Sequence, residues 1–176
     1  WLGASLLLAL NTWIRVYGSF GEALRAAFFT STSIMSTTGF ATADFEKWPP
    51  LSKIILVLLM FIGGCAGSTT GGIKMVRMFV VFKTAARELR LFLHPQAVFE
   101  IKLGKKAVES GIVFNITAFF ALYLTVFLIA TGLMCLFTPD GETALTSVAA
   151  TLGNVGPGLG AVGPMDNYAC IPAAGK

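Results

Sequence analysis

A hydroxyl-rich apolar segment that ends on a glycine and an aromatic residue has the composition of an ion-coordinating loop. The run from residue 26 to residue 43 carries no charge, and Gly39 and Phe40 follow its hydroxyl side chains. Those hydroxyl residues are Thr30, Ser31, Thr32, Ser33, Ser36, Thr37 and Thr38. At membrane depth, non-helical backbone is tolerated only where protein buries it or water reaches it, and its carbonyl oxygens can replace a cation's hydration shell. The segment therefore predicts an ion-selectivity filter, although a Ser/Thr-lined packing face between two helices has the same composition.

A second segment places five glycines within ten residues, from Gly63 to Gly72, between two apolar stretches. Because each glycine costs a helix about 1 kcal/mol relative to alanine, this segment predicts a spanning helix broken near its midpoint. Broken helices in membranes mark transport sites or gates, whereas a small-residue packing face is the alternative. A phosphate-binding loop is disfavoured, because Ile73 stands where its lysine must follow Gly72. The predicted gate residues are Gly63, Gly64, Gly67, Ser68, Thr69, Thr70, Gly71, Gly72 and Lys74.

The first segment has a counterpart later in the chain. Residues 142–151 repeat the acidic start, the alanines and the hydroxyls of residues 22–33, and aligning Gly39 with Gly156 pairs Thr37 with Asn154. Two re-entrant helices, each ending on a glycine, are hard to explain as packing, and each points the partly negative end of its dipole towards a cation. The predicted filter residues are Thr37, Thr38, Gly39, Phe40, Asn154, Val155, Gly156 and Pro157.

Composition and charge distribution indicate an all-α integral membrane protein. The 176 residues are 55% hydrophobic and only 12% charged, about half the usual charged share. Eight of the thirteen basic residues lie between Lys74 and Lys106, which places that segment in the cytoplasm by the positive-inside rule. Its neighbours are too apolar for a nucleic-acid-binding domain. The uncharged run at residues 110–139 predicts a tilted spanning helix, and Pro50 predicts the start of another.

The order of these elements predicts the layout helix, pore loop, helix, cytoplasmic link, helix, pore loop. The apolar run at residues 1–14 is shorter than the roughly 20 residues of a span, as expected for a chain that starts within a helix. The helix from Pro50 descends from the outer side, so the break is expected just cytoplasmic of the filter. There Lys74 is expected to repel cations or to anchor the loop to a neighbouring element.

The potentially reactive side chains do not favour an enzyme. Cys65, Cys135 and Cys170 are widely spaced, and His94 is the single histidine, so neither a metal site nor a disulfide framework is indicated. A catalytic His/Asp pair and an acidic pair within a span are likewise missing. An intramembrane enzyme that uses the glycine-rich segment is the disfavoured alternative, and a non-transporting assembly protein would not need two filter loops.

Three motifs resemble the bacterial Trk/Ktr potassium-uptake family, which is related to the plant HKT transporters, with the closest likeness to the Trk-type membrane subunit. They are residues 36–40, residues 63–74 and residues 153–158. The resemblance implies four potassium-channel-like helix–pore-loop–helix repeats around one pore, with one filter glycine in each repeat. It makes this chain the third repeat (1–94, start truncated), a cytoplasmic link (95–107) and most of a fourth repeat (108–176, last helix missing).

The same resemblance implies function and partners. It implies potassium uptake across the bacterial inner membrane by a multi-pass protein in lipid, with potassium bound at the filter residues and the glycine-rich segment as gate. It also implies a homodimer and a cytosolic nucleotide-binding regulatory subunit of the TrkA type, with no organic cofactor on this chain. The alternative within the family is sodium or mixed potassium/sodium transport, which a serine in place of Gly39 or Gly156 would have indicated.

Overall fold

Helices make up most of the chain in the computed structural model, which describes residues 1–93, 101–103 and 106–175. The helices are α1 (Leu2–Arg15), α2 (Phe20–Met35), α3 (Pro50–Phe61), α4 (Met75–Leu93), α5 (Ser110–Met134) and α6 (Gly141–Leu152). The strands are β1 (Ile62–Gly63), β2 (Ile73–Lys74), β3 (Lys102–Leu103) and β4 (Lys106–Ala107). Short 3-10 turns lie at Phe45–Lys47, Gly160–Val162, Tyr168–Cys170 and Ala173–Gly175. The predicted helical architecture is thus confirmed, with two small strand pairs that the sequence did not predict.

The helices that lead to the two glycine segments begin with capping residues. Ser19 accepts a hydrogen bond from the Glu22 backbone N–H (3.2 Å) at the start of α2, and Asp140 accepts one from Thr143 N–H (3.1 Å) at the start of α6. Such caps satisfy amide groups that have no partner within the helix. The helix α3 begins at Pro50, as predicted, since proline is favourable in a first turn.

The principal core joins both halves of the chain. Leu8 of α1, Ile34 of α2, Leu56 and Met60 of α3, and Ala149 of α6 are all buried in one cluster. Hydroxyl contacts supplement this apolar packing, for example the one between Ser5 Oγ and Ser31 Oγ (2.8 Å) that joins α1 to α2. The C-terminal ends of α2, α3 and α6 therefore meet in one buried region, and this meeting positions both glycine segments.

The helix α5 is the one described helix that is long and apolar enough to cross a membrane. It has 25 residues, and only 11% of its most apolar window is buried within the chain. Exposed Phe114, Leu122 and Leu128 contribute to its apolar surface. A helix that is apolar all round suits the interior of a membrane or of a large assembly. The shorter helix α3 is also apolar.

The helix broken by glycines is present as α3 and α4, with the chain between them folded back to its starting point. The strands β1 and β2 pair in parallel, with Ile62 opposite Ile73 and Gly63 opposite Lys74. The Met75 backbone N–H also donates to the carbonyl oxygen of Gly64 (3.2 Å). The chain therefore leaves the helix, makes an excursion and returns beside the point where it left.

The segment between α4 and α5 contains an antiparallel pair of strands, with Lys102 opposite Ala107 and Leu103 opposite Lys106. Lys83 on α4 donates to the carbonyl oxygen of Lys102 (2.6 Å) and so ties the pair to the helix. The predicted end of α4 at Pro95 lies outside the described residues, as does most of the predicted link.

Candidate ion pathway at the two glycine turns and the glycine-rich loop

The first glycine turn, residues 36–40, follows directly on α2. Thr37 and Gly39 have φ angles of 55° and 76°, in the left-handed region, whereas Thr38 between them has no positive φ. The turn is tied to its helix because Thr37 N–H donates to the Ile34 carbonyl (3.0 Å) and Thr38 N–H to the Ser33 carbonyl (2.9 Å). Left-handed conformation costs a residue with a Cβ roughly 1–2 kcal/mol, so a residue such as Thr37 adopts it only where the surroundings enforce it.

The second glycine turn, residues 153–157, follows α6 and has the same conformation. Asn154 and Gly156 have φ angles of 55° and 106°. Asn154 N–H donates to the Thr151 carbonyl (3.1 Å) and Val155 N–H to the Ala150 carbonyl (2.8 Å). Each donor and acceptor here follows its counterpart in the first turn by the same number of residues as Gly156 follows Gly39. The alignment drawn from the sequence therefore pairs residues that share one backbone conformation.

Most carbonyl groups of these turns accept no hydrogen bond from any described residue. The unpaired carbonyls are those of Ser36, Thr37, Thr38, Gly39, Gly153, Asn154, Val155 and Pro157. Backbone carbonyl oxygens without a protein partner can bind water or a cation. The C-terminal ends of α2 and α6 add partial negative charge at both turns.

The two turns lie against each other at Gly39. A Cβ placed on Gly39 would lie closer than 3.0 Å to the carbonyl oxygen of Val155 and 3.2 Å from Cδ of Pro157. At Gly156 a Cβ would meet nothing within 4 Å among the described residues. The side chain of Phe40 is largely exposed, at 73%. The predicted filter residues of both segments are therefore adjacent in space, with the closest approach at the first glycine.

The glycine-rich loop, residues 63–74, contacts both turns at the ends of their helices. Gly71 N–H donates to Thr37 Oγ1 (3.4 Å), and a Cβ on Gly71 would lie closer than 3.0 Å to the carbonyl oxygen of Gly153. A Cβ on Gly153 itself would lie 2.7 Å from the carbonyl oxygen of Met60 in α3. The loop thus lies beside both turns.

The ammonium group of Lys74 bonds to residues of the glycine-rich loop. Lys74 Nζ donates to the carbonyl oxygens of Ser68 (2.8 Å) and Thr70, and it also lies 3.2 Å from Thr70 Oγ1. Ser68 Oγ and Thr70 Oγ1 lie 2.7 Å apart, and Gly64 N–H donates to Thr70 Oγ1 (2.9 Å). Among the described residues, Lys74 therefore bonds to its own loop rather than to a neighbouring element.

The remaining loop residues differ in their surroundings. Gly63 is buried, Gly72 has a φ of 69°, and Gly67 would accommodate a Cβ without contact to any described atom. Thr69 is exposed and makes no hydrogen bond with the described residues. Of the three loop hydroxyls, those of Ser68 and Thr70 therefore supply the hydrogen bonds within the loop.

An ion-pair network that the sequence did not predict connects the two halves on the side of the acidic residues. Lys53 on α3 pairs with Glu46 and with Glu142 Oε1 (3.3 Å), and Glu46 Oε2 accepts from the Gly160 backbone N–H (2.9 Å). The Lys53 side chain is only 19% exposed. That Glu46 and Glu142 share Lys53 as a partner depends on how α3 packs against α6.

Replacing Glu46 with Gln is expected to destabilise the protein. The change removes a charged partner from Lys53 and weakens the bond from Gly160, and hydrogen bonds to charged groups contribute about 1.5–3 kcal/mol. Unfolding of the full-length protein in detergent should shift down by a few degrees. Lys47→Gln is the matched control, because Lys47 is 78% exposed and pairs locally with Asp44. Equal midpoints of thermal unfolding for the two variants would show that this ion-pair network does not stabilise the protein.

Hydroxyl groups reach two further carbonyls of the turns. Ser33 Oγ donates to the Phe40 carbonyl (2.6 Å) and Tyr168 OH to the Gly156 carbonyl (2.7 Å). Burial raises the pKa of Tyr168, so its hydroxyl remains a donor at neutral pH. The described residues contain no group of three His, Cys, Asp or Glu side chains placed to hold a metal ion, and Cys65, Cys135 and Cys170 are free thiols.

Comparison with known proteins gives consistent matches over nearly the whole chain. The sequence model of the TrkH family, described as a cation transport protein, matches residues 7–169. The Trk system potassium uptake protein TrkH of Salmonella typhimurium is 39% identical over 172 residues, covering 97% of this chain and 35% of that protein. Its counterpart from Vibrio parahaemolyticus is 42% identical over 163 residues, covering 89% of this chain and 32% of that protein.

A solved structure agrees with these matches. The crystal structure of the potassium transporter TrkH from Vibrio parahaemolyticus superposes with a TM-score of 0.84 at 38% identity, covering 92% of this chain and 35% of that chain. The chain thus spans about a third of the length of the relatives that it matches. The family resemblance drawn from the motifs is confirmed. This chain belongs to the TrkH family of cation transport proteins.

Proposed function

We propose that this chain is part of a potassium-uptake protein and contributes two filter segments and a gate to its ion path. The observation that carries the proposal is the set of unpaired carbonyl groups on two adjacent turns of matching conformation, at residues 37–39, 154, 155 and 157. The relatives' printed names, which specify potassium uptake, support potassium as the transported ion.

The filter in this proposal consists of Thr37, Thr38, Gly39, Phe40, Asn154, Val155, Gly156 and Pro157. Their carbonyl oxygens replace the water molecules around a potassium ion, and the ends of α2 and α6 supply a favourable potential. Glycine at both filter positions is the residue that the family resemblance associates with potassium rather than sodium. The other segments of a complete ring belong to the remainder of the protein.

The gate is the glycine-rich loop. Its contact with Thr37 and Gly153 puts it beside both filter turns, and its small residues let it lie across an ion path without a bulky side chain. Lys74 binds the carbonyls of Ser68 and Thr70 and so stabilises the closed form. Opening then requires these bonds to break or the loop to move as one unit.

The wider assembly follows the same proposal. Residues 1–94 form a third helix–pore-loop–helix repeat, residues 95–107 a cytoplasmic link and residues 108–176 part of a fourth repeat. The protein lies in the bacterial inner membrane, for which the exposed apolar surface of α5 is suited. It acts as a homodimer and is regulated by a cytosolic nucleotide-binding subunit of the TrkA type, which the basic segment at residues 74–106 faces.

Ion uptake by the full-length protein in lipid vesicles tests the proposal. We expect potassium uptake to exceed sodium uptake at equal gradients, because carbonyl ligands fixed by two helices favour the ion that sheds its water more easily. Empty vesicles measure the leak. Sodium uptake at or above the rate for potassium would replace the proposal with the sodium or mixed alternative, and uptake equal to the leak would overturn it.

A further inference from the structure

The hydroxyl of Tyr168 lies 2.7 Å from the carbonyl oxygen of Gly156 and donates a hydrogen bond to it. Tyr168 opens a 3-10 turn that is itself held in place. Asn167 Oδ1 accepts from the Ala169 N–H (2.9 Å), and Cys170 Sγ lies 3.5 Å from the Ala161 carbonyl oxygen. The phenol ring is half-buried. The hydroxyl therefore reaches Gly156 from a turn that has contacts of its own.

The first glycine turn obtains a comparable bond from within its own helix. Ser33 is buried, and its Oγ donates to the Phe40 carbonyl (2.6 Å). The equivalent position in α6 is Ala150, which has no hydroxyl. The second turn thus has no hydroxyl at this position of its helix. Tyr168, which lies beyond the turn, donates to the Gly156 carbonyl instead. Gly156 is one position before Pro157, the counterpart of Phe40.

The second turn also has fewer steric restraints at its glycine. A Cβ on Gly39 would overlap the Val155 carbonyl, whereas one on Gly156 would meet nothing within 4 Å among the described residues. The φ angle of Gly156 is 106° and that of Gly39 is 76°. Among the described residues, Tyr168 is the side chain that bonds to the Gly156 carbonyl, and this bond restrains the orientation of that carbonyl. A carbonyl oxygen has two lone pairs, so one remains available to a cation.

We propose that Tyr168 is a positioning residue that sets ion specificity by holding the Gly156 carbonyl against inward rotation. A carbonyl held in this way cannot follow a smaller ion towards the centre of the path, so sodium loses a ligand that potassium keeps. This role rests on the proposed function, because the Gly156 carbonyl affects selectivity only if its turn faces the ions.

Tyr168→Phe in the full-length protein removes the donor and keeps the ring. In vesicles we expect the ratio of potassium to sodium uptake to fall about 3- to 10-fold, the range that corresponds to one hydrogen bond. Tyr17→Phe is the matched control, because Tyr17 is also half-buried and its hydroxyl bonds to no described residue. That variant should keep the wild-type ratio.

The outcomes separate this inference from the proposed function. If wild-type protein selects potassium and Tyr168→Phe keeps the same ratio, at normal or reduced total uptake, Tyr168 has at most a structural role and the inference is wrong. If wild-type protein takes up no potassium, the proposed function fails and the inference fails with it. Incorporation of 3-fluorotyrosine at position 168 covers the case of a misfolded Phe variant. Its hydroxyl is a stronger donor on a ring of nearly the same shape, so the ratio should rise, and an unchanged ratio would also overturn the inference.

Discussion

Replacing Gly39 with Ser is expected to lower the preference of the full-length protein for potassium over sodium by about tenfold or more. The φ angle of 76° costs a residue with a Cβ roughly 1–2 kcal/mol, where 1.4 kcal/mol corresponds to a factor of ten. A Cβ at this position would in addition overlap the carbonyl oxygen of Val155. The variant must therefore distort both turns at once, and their unpaired carbonyls lose the arrangement proposed to bind potassium.

Two other glycines serve as comparisons in the same vesicle measurement. Gly156→Ser introduces an unfavourable φ but overlaps no described residue, so it should leave the first turn in place and have a smaller effect than Gly39→Ser. Gly111→Ser lies on α5 with no atom within 4 Å and should leave the ratio unchanged. An unaltered ratio in well-folded Gly39→Ser protein would remove Gly39 from the filter.

Deleting residues 64–70 is expected to raise potassium flux and to weaken control by the proposed regulatory subunit. The strands β1 and β2 already lie side by side, with Gly63 opposite Lys74, so the excursion can be removed and the chain rejoined over a short distance. Gly71, which contacts Thr37 and lies against Gly153, is retained. The deletion therefore removes the proposed barrier and leaves the contacts that support the two turns.

The variant Lys74→Met separates loop mobility from loss of the loop. It keeps every loop residue but removes the ammonium group that binds the carbonyls of Ser68 and Thr70. An increase in flux smaller than that of the deletion is expected, because the loop remains and only its closed form is destabilised. Flux is measured with dimeric, well-folded protein. If the deletion protein meets that condition and its flux is unchanged or lost, the glycine-rich loop is not a gate.

Local sequence was sufficient to locate the helices and the irregular segments between them. Caps and a proline mark the starts of α2, α3 and α6, and clustered glycines predict the break between α3 and α4, because these effects depend on neighbouring residues only. The correspondence of Gly39 with Gly156 was also available from the sequence, since matching residue types after matching helices produce matching turns. The family followed from the same motifs.

Contacts between segments that are distant along the chain required the tertiary structure. Lys53 meets Glu142 only because α3 packs against α6, and Tyr168 reaches Gly156 only because its 3-10 turn folds back over the second glycine turn. Lys74 could have bonded to a neighbouring element, and the return of the chain through β2 brings it to Ser68 and Thr70 instead. Local preferences determine backbone conformation, but such pairings depend on how helices pack, and no short stretch of residues encodes that packing.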